Sequence, residues 1–139
     1  MARILVIDDD QAIRTTIRLL LEREGHDVEL AEDGRKGLSR FESGQFDLLI
    51  VDIFMPGMDG LETVRNIHRL RPHVPVIVIS GYAFRSALET VPDFLSMAMK
   101  FGAISSLSKP FKPSDLISAV AKCLADAEGA SRDATSGKG

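Results

Sequence analysis

Short apolar runs and stretches of helical period alternate along this chain. Ile4 to Ile7 is continuously apolar, which suits a strand covered on both faces. Asp10 then serves as a helix N-cap, and Ile13, Ile17, Leu20 and Leu21 share one helical face until Gly25 stops it. Val28, Leu30 and Ala31 fit a second strand, Asp33-Gly34 a turn, and Gly37, Leu38 and Phe41 the inner side of a helix ending by Gly44. Leu48 to Val51 is another apolar run, closed by Asp52 and followed by the turn formers Pro56, Gly57, Asp59 and Gly60. Leu61, Val64, Ile67, His68 and Leu70 follow helical spacing up to Arg71-Pro72, and Val76 to Ile79 is the next strand. A helix with Phe94, Leu95, Ala98 and Phe101 inward leads to a short strand at Ala103 to Leu107. Pro113 opens a last helix with Leu116, Ile117, Val120 and Leu124 inward. Five βα units in series predict an α/β fold, a doubly wound parallel sheet between two helical layers.

Composition narrows the class. A chain of 139 residues with 45% hydrophobic and 27% charged residues is one globular domain with a core of its own. The net charge of -3 and the lack of a basic cluster predict no nucleic-acid partner and no membrane partner. With no signal peptide and no apolar run of membrane length, a cytoplasmic location is expected. Cys123 is the sole cysteine, so no internal disulfide can form, and His26, His68 and His73 lack metal-ligand spacing and read as surface residues. Residues 127–139 carry no large apolar side chain and read as a flexible tail after a domain at 1–126.

The chemistry gathers at strand ends. In an open parallel sheet, ligands collect outside the carboxyl ends of the strands, where Asp8-Asp9, Asp52, Ser80 and Lys109 fall. Pattern leaves the strand order open. In the order 2-1-3-4-5 the first and third strands are neighbours, and Asp8, Asp9 and Asp52 converge. Carboxylates so close repel unless a cation intervenes, and hard oxygen donors favour Mg2+. A nucleophilic carboxylate, a divalent ion, an ammonium and a hydroxyl are the parts that in-line phosphoryl transfer requires. Taken singly, each has a plainer reading: Asp8-Asp9-Asp10 as an acidic helix start, Ser80 as a loop serine, Lys109 as a surface lysine.

Together these motifs resemble the response regulator receiver domain of two-component signalling. The matching elements are Ile4 to Asp10, Asp47 to Asp52 with Met55 to Gly60, Ile79-Ser80-Gly81, and Gly102-Ala103 leading to Lys109-Pro110-Phe111. The resemblance covers Arg3 to about Leu124. It implies a flavodoxin-like five-stranded sheet in the order 2-1-3-4-5 and Asp52 as acceptor of a phosphoryl group from a histidine kinase or histidine phosphotransfer protein. It further implies Mg2+ bound directly by Asp9, Asp52 and the Phe54 carbonyl, with Asp8 acting through water. Ser80 and Lys109 would hold phosphoryl oxygens, and Lys109-Pro110 would be cis. Phe54 and Tyr82, flanking the approach of water, would slow hydrolysis of the aspartyl phosphate.

The chain also departs from the family pattern. Ser106 stands where the family usually carries Tyr or Phe, so activation is expected to be read out by a downstream protein partner through the segment after Ser80, including Tyr82. No effector domain is evident, which fits either a stand-alone receiver or the first domain of a longer protein. Two other classes stay in view. One is a Mg2+-dependent phosphohydrolase with an aspartyl nucleophile, for which Asp8 and Asp10 have the spacing but no cap domain is evident. The other is a degenerate receiver used as a binding module.

Overall fold

The computed structural model describes residues 2–53, 60–80 and 105–136. Five strands form one parallel sheet: β1 (Arg3–Ile7), β2 (Asp27–Ala31), β3 (Leu48–Asp52), β4 (Val76–Ser80) and β5 (Ser105–Ser108), in the order β2-β1-β3-β4-β5. The helices described are α1 (Gln11–Arg23), α2 (Gly34–Ser43), α3 (Gly60–Leu70) and a C-terminal helix, Pro113–Ser136. The expected helix containing Phe94 to Phe101, together with Ala103 and Ile104, lies outside the described residues.

The apolar runs are continuous because both sheet faces are covered. Successive strand side chains point to opposite faces. Accordingly Ile4, Val6, Leu48, Ile50, Ile77 and Ile79 pack with Ile17 and Leu21 of α1 and with Leu116, Val120 and Cys123 of the C-terminal helix. Leu5, Ile7, Leu49, Val51, Val76 and Val78 pack on the other side with Phe41 of α2 and Leu61, Val64 and Ile67 of α3. Full burial of each such side chain contributes about 1.5–3 kcal/mol. The core holds the strand ends in register.

Helix boundaries follow local chemistry. The Asp10 carboxylate accepts from the backbone N–H of Ala12 and Ile13, capping α1. Gly25, at φ 87°, supplies the left-handed turn after that helix. Asp33 does more than mark a turn with Gly34: its side chain accepts from Lys36 N at 2.8 Å, and Gly34 is already helical. The C-terminal helix runs to Ser136, past Ala127, where the sequence pattern places the start of a flexible tail. Ala127 and Glu128 are good helix formers, so a helix already begun can propagate through them.

Two expectations about side chains are corrected. Leu70 is 51% exposed and does not join the inner face of α3. At 100° per residue, nine residues carry it half a turn away from Leu61. His26 and His68 are half-buried and bonded rather than free surface groups. His68 Nε2 donates to the Val74 carbonyl at 2.9 Å, while His26 Nδ1 accepts from the Ala2 N–H at 3.2 Å, clipping the start of β1 to the turn before β2. Among the described residues no helix is long and apolar enough to cross a membrane.

Burial pushes the His26 imidazole below its ordinary value, and the bond from Ala2 requires a neutral Nδ1. Burial lowers His68 as well, against the pull of the Val74 carbonyl. At these two histidines the folded protein binds fewer protons than the unfolded chain just below pH 6.5, the ordinary imidazole value, so their contribution to stability is complete above that pH and is lost as pH falls. Urea midpoints should fall between about pH 7.5 and about pH 5.5. In His26→Gln the fall should be smaller; an equal fall in both proteins would exclude the His26 contribution.

Candidate functional site

The candidate side chains of Asp8, Asp52 and Lys109 lie where strands meet loops on the carboxyl edge of the sheet. β1 and β3 are neighbours with Ile7 opposite Val51, so the next residues, Asp8 and Asp52, face each other. Asp8 stays aligned because its N–H continues toward β2, donating to Ala31 O at 3.1 Å. Lys109 follows β5 directly, and the peptide that joins it to Pro110 is cis. Its ammonium reaches both carboxylates, Asp8 Oδ2 at 2.9 Å and Asp52 Oδ2 at 3.2 Å. Asp9 is exposed at the mouth.

Burial governs the electrostatics. Asp8 is fully buried and Asp52 nearly so, at 0% and 4% exposure. Burial pushes the Asp8 carboxyl above its ordinary range, opposed by the Asp10 N–H that donates to Oδ1 at 2.9 Å and by the Lys109 ammonium. Burial alone would lower Lys109, but the hydrogen bond and charge of Asp8, then those of Asp52, outweigh it and raise the ammonium above its ordinary value. Lys109 is thus a fixed cation.

The donor set fits a divalent ion. One carboxylate oxygen from each of Asp8, Asp9 and Asp52 lies within 4.8 Å of the others. Asp8 Oδ2 is buried and, although ion-paired to Lys109, has no hydrogen bond of acceptable geometry. An acceptor left so exposed to its own desolvation cost is suited to a hard cation or to water bound to one.

The other residues singled out in the sequence are less fully placed. Ser80 ends β4, with its backbone opposite Ser108. Ser106 is exposed on β5, opposite Val78. Phe54 and Tyr82 lie outside the described residues. Two contributions had no sequence signature. Arg14 of α1 donates from Nη1 to the Asp8 carbonyl at 2.6 Å. Gly60 brings the start of α3 against β3 so closely that a Cβ there would stand 2.2 Å from Asp52 O and 2.0 Å from Ile53 Cα. Pro56, Gly57, Asp59 and Gly60 together mark only a turn, whereas the need for glycine at Gly60 comes from this approach.

A parallel sheet of this order, with acids at the carboxyl ends of the first and third strands and a lysine after the fifth, defines a receiver-type signalling domain. The chain belongs to the response regulator receiver domain family, whose model matches residues 4–121. Among curated relatives, it is 37% identical over 122 residues to the transcriptional regulatory protein ZraR of Escherichia coli K12, covering 88% of this chain and 26% of that protein. It is 36% identical over 115 residues to the response regulator MprA of Mycolicibacterium vanbaalenii, covering 83% of this chain and 47% of that one. The chain thus spans half or less of these relatives. A solved CheY-like receiver domain protein from Methanospirillum hungatei superposes with a TM-score of 0.83 at 35% identity, covering 93% of this chain and 98% of that chain. That relatives carry the name of transcriptional regulators counts against the expectation of no nucleic-acid partner.

A cation that binds only the folded acidic site must stabilise it. At ten times its dissociation constant such a ligand adds about 1.4 kcal/mol, a rise in Tm of a few degrees for a domain of this size. Mg2+ should produce that rise in the intact protein, and Asp9→Ala should remove most of it. An equal rise in both would exclude Asp9 as a ligand.

Proposed function

We propose that Asp52 accepts a phosphoryl group from the phosphohistidine of a histidine kinase or histidine phosphotransfer protein, and that the chain is a phosphorylation-controlled switch of the cytoplasm. The observation that carries this reading is the Asp52 carboxylate, buried at a strand end and bonded to an ammonium that also holds Asp8. An Asp52 oxygen attacks phosphorus as the phosphorus–nitrogen bond of the donor breaks, and the electron pair leaves on the imidazole. Asp9 and Asp52, with the Phe54 carbonyl, would hold Mg2+ directly, and Asp8 through water. When bound, the ion offsets negative charge on the phosphoryl oxygens. Lys109 exchanges part of its contact with Asp52 for a phosphoryl oxygen, and the Ser80 hydroxyl takes another. Because Lys109 stays charged, its contribution does not vary across the physiological pH range.

Incubation with a small acyl phosphate and Mg2+ should add one phosphoryl group, seen as a labile adduct by intact mass. Asp52→Asn should abolish it, and an undiminished adduct on that variant would place the acceptor elsewhere.

The readout of this switch runs through the chain after Ser80 to a downstream protein partner. Ser106 is small and exposed, so it has no aromatic-sized volume to fill or vacate, and a side-chain swing there has little packing energy to couple with. Tyr82, two residues beyond Ser80, belongs to the segment that Ser80 would pull. Hydrogen exchange before and after phosphorylation should change most within residues 81–101, with the Ser106 amide nearly silent. The largest change in β5 and the C-terminal helix would refute this route.

A further inference from the structure

We infer that Arg14 is a positioning residue for the acidic site, setting the peptide between Asp8 and Asp9 so that both carboxylates face one cation. This rests on the Mg2+ reading above. Arg14 sits one turn into α1, its own N–H bonded to Asp10 O at 3.0 Å, and helix side chains lean toward the N-terminus. Its guanidinium therefore reaches back over the loop it follows. There Nη1 donates to the Asp8 carbonyl at 2.6 Å, a short, charge-assisted bond to a carbonyl that lies beyond the last β1–β3 register pair, Ile7 and Val51.

A peptide unit is planar, so the carbonyl of Asp8 and the N–H of Asp9 turn together. Fixing that oxygen fixes the plane from which the Asp9 side chain departs. The rest of Asp8 is already tied down: its N–H to Ala31 O, Oδ1 to the Asp10 N–H, and Oδ2 paired with Lys109. Rotation of the peptide toward Asp9 is the freedom those contacts leave, and Arg14 removes it. Glu32, itself paired with Lys36, lies near enough for the Arg14 charge to help lower its carboxyl.

Charge and position make opposite demands on a variant. As a cation, Arg14 repels Mg2+, so an uncharged side chain would tighten metal binding if charge were its whole influence. As a positioning group, its loss loosens Asp9 and weakens binding. Groups that orient metal ligands from behind commonly alter affinity by about 10–100-fold. The sign of the change separates the two.

The test is calorimetric titration of the unphosphorylated protein with Mg2+, for the natural chain, Arg14→Met and Arg14→Lys. Arg14→Met should bind about tenfold more weakly, with Arg14→Lys in between because it keeps one donor of shorter reach. Unchanged or tighter binding by Arg14→Met overturns the inference. Should Arg14→Met fail to show a cooperative melting transition, Arg14→Lys decides: weaker binding supports the role and equal binding overturns it. Absence of Mg2+ binding by the natural chain overturns the metal reading and this inference with it, whereas natural binding matched by Arg14→Met overturns the inference alone.

Discussion

The structure depends on keeping three carboxylates together at the edge of an apolar sheet. Two unit charges about 4 Å apart repel by roughly 4 kcal/mol at an effective dielectric near 20. That is comparable with much of the net stability of a domain, about 5–15 kcal/mol. The acids are tolerated because the core on both sides of β1 and β3 leaves those strands no other register, and because Lys109 stands between Asp8 and Asp52. Lys109 compensates only part of the charge. The same incomplete compensation that burdens the fold suits the site to the cation and phosphoryl group proposed for it, so stability and the proposed function draw on one cluster.

Much of the fold was legible because its physics is local or periodic. Runs such as Leu48 to Val51 suit a strand buried on both faces, and Asp10 and Gly25 announce the ends of a helix by their own chemistry. The acidic site was legible because charged residues stand directly after such runs, at Asp8 and Asp52. Their neighbourhood was not: spacing alone left strand order open, and the order came from resemblance before the observed pairing of β1 with β3.

What sequence could not supply depends on distance in space. Nothing in the chain says that the Asp8 carbonyl points at Arg14, or that His26 accepts from Ala2, since both contacts require the turn geometry that brings the partners together. Leu70 misled for a different reason. Its three-residue spacing looks helical at each step, but the drift accumulates over three steps to half a turn. The extension of the C-terminal helix beyond Ala127 escaped because the absence of apolar residues argues against packing, not against helix.

The close approach at Gly60 gives the site an anvil. With only a hydrogen between the start of α3 and the main chain of Asp52 and Ile53, there is no compliant side chain in that contact to absorb a displacement. Under the proposed function, charge added at Asp52 would meet a stiff β3–α3 junction, because main chain resting on main chain has no rotamer through which to yield. Work done at the proposed acceptor would thereby be directed away from α3, with one glycine as the mechanical ground.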